Sequence, residues 1–350
     1  MKRYQWLSLI LVAIVTAIIA GCFPAAMDPS GKFAYVMDNN KNLLVYAIDP
    51  NTGTPSVKWE YNAGTTVQPV IADQVNDFLA AVDPSGRFLY VELRLQNNST
   101  SKTITGAEIQ EYQIDPDTHA LSGPTTVATW TGSTYSGFNG LVAEPLGRYL
   151  YMTDSGSGNG TDGGVYTFSI NPQTGALTQI GASKTLTSGM TEVPVADPKG
   201  QYLFLLNSSM AGGSKGVMTY AIQANGTLKQ VAGPFMPAGI TGPESMAIDQ
   251  TGSYIVLTDD DSTATTANMY VAQLDRSTGA FNSLGAPVPA GKTPGLVMFD
   301  LSNKYVYAKS GNHTVLTFSF NPATGALTPG TPSAVLGGGL TQLLTNGVMK

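Results

Sequence analysis

Oxygen-bearing side chains gather at two places where this chain could do chemistry. Asp259, Asp260 and Asp261 stand in a row, and three carboxylates in one loop could hold a hard cation such as Ca2+. Asp154-Ser-Gly-Ser-Gly-Asn-Gly-Thr-Asp162 alternates oxygen donors with glycine. It has part of a calcium loop's pattern but lacks the bidentate Glu that closes an EF-hand. The plainer readings are a solvated acidic turn and a Gly-rich loop. No Gly-Lys-Ser/Thr follows, so a phosphate loop is excluded. The two histidines are His119 and His313. His313 could serve as a general base beside a carboxylate or guanidinium, and Glu92, Arg94 and Asp259 are the groups that could join it. A lone loop histidine is otherwise simply exposed. No cofactor is expected, Ca2+ being the one ion these loops could take.

Such groups are sparse. Charged residues make up 12% of 350, about half the usual share of a soluble domain. The apolar fraction of 42% is enough for a large core. A net charge of −6 gives no basic patch for a nucleic-acid groove. One cysteine excludes an intramolecular disulfide framework and Cys-rich zinc sites. The 39 Gly and 21 Pro point to many short strands and turns.

The elements that must position these groups repeat. One unit reads Asp28-Pro-Ser-Gly-Lys-Phe-Ala-Tyr-Val and Asp83-Pro-Ser-Gly-Arg-Phe-Leu-Tyr-Val. It continues as Glu144-Pro-Leu-Gly-Arg-Tyr-Leu-Tyr-Met, Asp197-Pro-Lys-Gly-Gln-Tyr-Leu-Phe-Leu, Asp249-Gln-Thr-Gly-Ser-Tyr-Ile-Val-Leu and Asp300-Leu-Ser-Asn-Lys-Tyr-Val-Tyr-Ala. A second motif keeps pace, as in Tyr46-Ala-Ile-Asp-Pro-Asn-Thr-Gly53 and Phe168-Ser-Ile-Asn-Pro-Gln-Thr-Gly175. In the first motif the acid caps backbone N–H groups, Pro presets φ and Gly takes the last place of a tight turn. The segments on either side alternate apolar and polar residues and read as strands. In the second copy, strands a to d fall near Phe78–Val82, Arg87–Leu93, Glu108–Ile114 and Thr125–Trp130. Four-stranded units of this length are blades of a β-propeller, with a β-sandwich or solenoid as the other all-β arrangement. No useful helical period appears.

Six copies predict six four-stranded antiparallel blades. The spare segment Leu340–Val348 is expected to close the ring on strand b of the first blade, Lys32–Met37, removing exposed edges. Antiparallel order puts the repetitive a–b and c–d turns on one face. The irregular b–c and d–a loops, which carry Asp154, Asp162, Asp259–Asp261 and His313, lie on the other, where function is expected. Trp59, Tyr61, Trp130, Tyr135 and Phe138 fall in or after strand d. They suit packing between blades, or stacking on a sugar or partner at the rim.

The N-terminus reads as an address. Lys2 and Arg3 precede an apolar run, Leu7 to Ala20, that ends in Ile19-Ala20-Gly21-Cys22. The run is too short to span a bilayer comfortably and suits a signal-peptide core. Small residues directly before Cys resemble the lipobox of bacterial lipoproteins. A plain signal peptide with a chance Cys is the alternative. The resemblance implies cleavage before Cys22, acylation of its thiol and new amino group, and anchoring by two or three acyl chains. Phe23, not Asp, follows the Cys, which implies the outer membrane in a Gram-negative cell. The expected organisation is 1–21 signal, 22–27 lipidated Cys and short tether, and 28–350 one propeller domain, with Phe23–Met27 as the first copy's strand a, pressed against the lipid anchor. The processed chain, freed of Lys2 and Arg3, carries −8.

The paired motifs, such as Asp83-Pro-Ser-Gly-Arg-Phe-Leu-Tyr-Val and Asn171-Pro-Gln-Thr-Gly-Ala-Leu-Thr, resemble the lactonase-type β-propeller family. That family holds 6-phosphogluconolactonases, a fungal carboxy-muconate cyclase and many envelope lipoproteins. The resemblance covers about 28–350. It implies a propeller, and because the family usually has seven blades, seven stands beside six. It also implies a channel site of His, Arg and Glu. No stretch of this sequence matches that cluster residue by residue, and His313, Glu92 and Arg94 are the candidates the loops supply. Two functions are therefore expected. One is a monomeric, lipid-anchored envelope module that binds a protein or glycan on its b–c/d–a face. The other is an envelope lactonase-like hydrolase.

The anchor is testable on its own: Cys22→Ser should release the protein from cell membranes into the soluble fraction without detergent. Continued dependence on detergent for extraction would contradict it.

Overall fold

The computed structural model describes residues 22–27, 33–38, 43–48, 55–61, 78–96, 104–131, 138–154, 163–181, 185–186, 191–207, 215–259, 267–292, 294–299, 302–310, 314–330 and 334–335. These form six antiparallel sheets and no helix. The first sheet holds β1 (Cys22–Met27), β2 (Phe33–Asp38), β3 (Leu43–Ile48) and β4 (Pro55–Tyr61). The second holds β5 (Phe78–Val82), β6 (Phe88–Gln96), β7 (Ile104–Ile114) and β8 (Leu121–Thr131). The third holds β9 (Phe138–Ala143), β10 (Tyr149–Asp154), β11 (Gly164–Ile170) and β12 (Leu177–Gln179), with β13 (Thr185–Leu186) continuing the outer edge on β11. The fourth runs β14 (Thr191–Ala196), β15 (Tyr202–Asn207), β16 (Gly216–Ile222) and β17 (Leu228–Phe235). The fifth runs β18 (Pro243–Ile248), β19 (Tyr254–Asp259), β20 (Asn268–Asp275) and β21 (Ala280–Pro289). The sixth comprises β22 (Pro294–Phe299), β23 (Tyr305–Ser310), β24 (Thr314–Phe320) and β25 (Leu327–Pro329), with β26 (Ala334–Val335) on β24. Within each sheet the strands pair in sequence order, as the repeats require. These are the blades of a β-propeller.

Burial sorts the strands. The second strands β10, β15 and β19 are buried along their whole length. The outer strand β17 is partly or fully exposed throughout. First strands of successive sheets touch one another, β1 to β5, β5 to β9, β9 to β14, β14 to β18 and β18 to β22. The core lies between sheets. Trp130 of β8 packs on Phe138 of β9 and on Tyr166 and Phe168 of β11, with ring centroids 5.4–5.9 Å apart. Of the aromatics read as packing or rim groups, Trp130 and Phe138 therefore pack between blades.

In the second to fifth sheets the turn between first and second strands is organised by a buried acid. Asp249 accepts the N–H groups of Thr251 (3.0 Å), Ser253 (2.6 Å) and Tyr254 (2.8 Å). Asp83 accepts those of Ser85, Arg87 and Phe88. Glu144 and Asp197 take the same part, and all four acids are buried. The turn glycine meets the acid of the preceding sheet. At Gly252, where φ is +67°, a Cβ would lie 2.7 Å from Asp197 Oδ1. At Gly200 it would lie 2.9 Å from Glu144 Oε2. In the sixth sheet Asn303 holds this place at φ +56°. Its Nδ2 donates to Asp249 Oδ2 (3.0 Å) and its Oδ1 accepts from Gln250 N (3.1 Å).

The turns between third and fourth strands join the same face. Tyr149, Tyr202 and Tyr254 donate their hydroxyls to Ala224 O, Arg276 O and Ala323 O of the next sheet. Tyr90 does the same to Gly175 O. In the first sheet Phe33 has no hydroxyl and stacks on His119 instead, with centroids 3.6 Å apart. His119 takes the turn's positive-φ place, at +59°. Its position is structural.

One expectation is met and one changes. The first copy's strand a, expected at Phe23–Met27, is β1 (Cys22–Met27), in register with β2 from Ala25↔Val36 to Met27↔Ala34. That strand occupies the edge of β2 on which Leu340–Val348 was expected to close the ring, and β3 occupies the other. A strand has two ladder edges, so the expected pairing has no place. Leu340–Val348 itself lies outside the described residues.

One pair shows how the sheets compensate. Arg148 pairs with Glu144 of its own turn at 3.0 Å. The fourth sheet carries Gln201 at the equivalent position, and its Asp197 pairs at 2.6 Å with Arg276 of the fifth sheet. Burial pushes the Asp197 carboxyl up, against the pull of the Lys199 N–H, Arg276 and the Gln201 N–H. Arg276→Ala should cost on the order of 2–4 kcal/mol by denaturant titration, since it strands a buried acid. Gln201→Arg should restore part of the loss. The deficit should shrink as pH falls toward the raised carboxyl value, because a protonated acid needs no counter-charge. An unaltered midpoint in Arg276→Ala would rule the role out.

Candidate functional site

The face opposite the repetitive turns is where first strands begin, second strands end, third strands begin and fourth strands end. Counting ten residues from each turn acid reaches the end of a second strand or its equivalent: Asp38, Leu93, Asp154, Asn207, Asp259 and Ser310. Five of these six positions are polar, Leu93 being the exception, and strand length sets their place.

Asp259 is the best defined. Its Oδ1 accepts the N–H of Gly242 (2.8 Å) and of Thr241 (3.1 Å) in the segment that leads into β18. Lys215, at the start of the fourth sheet's third strand, donates Nζ to Thr241 O (2.9 Å). The same segment is crossed by Tyr270, whose hydroxyl lies 3.2 Å from where a Cβ of Gly239 would be. Burial, and then the charge of Asp259, push the Tyr270 hydroxyl pKa up. The carboxylate therefore ties down a connecting segment by hydrogen bonds to main chain, in the manner of an Asx cap.

The neighbouring positions differ. Asp154 ends β10 and is buried. Asn207 ends β15 fully buried, and neither its Nδ2 nor its Oδ1 has a hydrogen-bond partner. A buried amide without partners is costly, which marks Asn207, among the described residues, as a position with donor and acceptor capacity left over. Sequence reading passed over Asn207 because it is not an acid. The ten-residue count through the repeats would have found it.

The remaining candidates are spread out. Glu92 is buried in β6, opposite Leu79 and Ile109 in the ladder. Arg94 follows on the same strand, with Ala107 opposite. Glu92 stands on the second sheet and Asp259 on the fifth. Asp162, Asp260, Asp261 and His313 lie outside the described residues, as do Tyr135 and the loops that carry them. Cys22 opens β1, its Cα paired with Asp38. Among the described residues no three His, Cys, Asp or Glu side chains are grouped as a metal site would need.

Residues 98–243 match the family described as lactonase, 7-bladed beta-propeller. The resemblance read from the paired turns is thereby borne out. Its description names seven blades, where the described residues form six sheets. No curated protein matches the sequence. Among solved structures, the chain is similar to a periplasmic gluconolactonase of Pseudomonas aeruginosa, with a TM-score of 0.65 at 16% identity over 91% of this chain and 86% of that one. A candidate 6-phosphogluconolactonase of Bacteroides uniformis gives 0.65 at 16%, covering 89% and 85%. A protein from Lactobacillus plantarum gives 0.63 at 16%, covering 91% and 86%. At such identities the likeness is one of fold.

Asp259→Ala should free the Thr241–Gly242 segment. Amide exchange there should speed up, and stability should fall by on the order of 1–3 kcal/mol from the unsatisfied N–H groups. Asp259→Asn keeps an acceptor oxygen and should recover most of the protection. Equal exchange in all three proteins would remove the assigned role.

Proposed function

We propose, from the premise of a lactonase-type β-propeller, that this chain is a lipid-anchored module of the bacterial envelope that binds a protein or glycan on its irregular face. The observation that carries this reading is how Asp259 is used. It is the best-defined acid of that face, and it secures main chain together with Lys215, as a scaffold for loops would. The anchor rests on the sequence Ile19-Ala20-Gly21-Cys22. The monomer expectation rests on repeats that supply their own neighbours.

A second reading is hydrolysis of a sugar lactone. It is favoured by the family match over residues 98–243 and by the gluconolactonase among the similar structures. Opening a lactone needs a base to activate water and donors to hold the oxyanion. Glu92, Arg94 and His313 are the side chains that would have to supply them.

The readings separate in one assay. Cys22→Ser protein, purified without detergent, should open glucono-lactone no faster than the buffer does. A rate above background that is lost in both His313→Ala and Glu92→Gln, with both variants folded by circular dichroism, would replace the binding reading with the hydrolase.

A further inference from the structure

The joint between the second and third sheets holds an acid that no turn uses. Glu111 of β7 stands opposite Tyr90 in the ladder. The other five sheets carry Val45, Thr167, Thr219, Val271 and Thr317 at that place, each opposite the matching residue of its second strand. The position faces the next sheet, and Glu111 is 5% exposed there. Its carboxyl rests on the third sheet's c–d turn. A Cβ added to Gly175 would lie 2.7 Å from Glu111 Oε1. Among the described residues, neither a hydrogen bond nor an ion pair meets that carboxyl.

The charged groups of this joint are engaged elsewhere or stand at its far end. Arg87 donates Nε to Ser85 Oγ (3.1 Å) and Nη2 to Pro172 O. Asp83 is taken up by N–H groups of its own turn, and Arg148 pairs with Glu144. Tyr90 spends its hydroxyl on Gly175 O (2.7 Å). Glu108 lies on the opposite face of β7, where it accepts from Gln110 Nε2 (2.7 Å). Glu92 and Arg94 follow Tyr90 along β6, and Asp154 ends β10, all toward the irregular side. β8, β9, β11 and the turn 171–175 bring no charged residue. Trp130, Phe138, Tyr166 and Phe168 fill the rest of the joint. An ionised carboxylate so enclosed lacks the partners a buried charge needs, whereas a protonated one carries no charge to satisfy. Burial accordingly pushes the Glu111 carboxyl up. We propose that this joint is a proton-operated seam: the second and third sheets pack tightly while Glu111 is neutral, and part more readily once it is ionised. A carboxyl held above its ordinary range contributes stability that is full in acid and lost as pH rises through the raised value. The device lies toward the turn side of the ring, apart from the face proposed to bind.

Trp130 reports the seam, because its ring packs across it on Phe138, Tyr166 and Phe168. In the full chain with Trp6→Phe and Trp59→Phe, Trp130 is the one tryptophan left. Acrylamide quenching of its fluorescence should increase as pH rises from about 4 to about 7. Glu111→Gln should hold quenching at its low level throughout. Glu111→Thr, which installs the residue of the third, fourth and sixth sheets, should do the same. Both variants should melt with the unsubstituted protein at about pH 4, and a few degrees above it at about pH 7. Asp197 also titrates, at the joint of the fourth and fifth sheets, but it is common to all three proteins. Quenching that does not change with pH in the unsubstituted protein would overturn the seam. So would a rise that survives both substitutions, or a lower melting temperature at about pH 7 in both variants.

Discussion

A carboxylate buried at the head of a second strand is the interaction on which this ring depends. Asp83, Glu144, Asp197 and Asp249 each gather two or three N–H groups of their own turn. For all but Asp83, the outer side is met by the glycine or asparagine of the next sheet. The acid thus serves local and long-range order at once. It turns the chain between two strands, and it seats one blade on the next. A charge so enclosed must be fully hydrogen-bonded or paired, which explains why Arg276 stands where four of the other copies have Pro, since Gln201 cannot supply a cation. The tyrosine hydroxyls that reach the next c–d turn close the same joint at a second point.

Most of the architecture was legible in the sequence because repetition shows itself. The acid–Pro–x–Gly turns set the number of sheets, and their spacing set the strands. Phe78–Val82 falls where the pattern puts it. The c–d turn of the second copy was harder to read, for His119 stands where other copies have glycine, and only the structure shows its ring covering Phe33. The N-terminal strand was legible too: the first sheet needs a first strand, and Phe23–Met27 was the segment left to supply it.

The candidate site was less legible. A row of carboxylates invites a metal, yet Asp259 is committed to two backbone N–H groups. Motif reading cannot see this, since the partners Thr241 and Gly242 come from another part of the repeat. Asn207 was invisible for the opposite reason. Its type is ordinary, and only burial without partners distinguishes it. Chemistry at the mouth depends on connecting segments that do not repeat, so the pattern that reveals the blades carries little information about them.

The joint between blades has one more consequence. The acid of one turn against the glycine of the next recurs between the third and fourth sheets and between the fourth and fifth, and with asparagine between the fifth and sixth. A contact that is the same at each step does not count the steps. Whole units could therefore be gained or lost by duplication or deletion of one repeat, except where a joint draws a charge from its neighbour, as Asp197 does from Arg276. Blade number in such a ring is a property of its genetic history and of how its ends meet, not of any single interface.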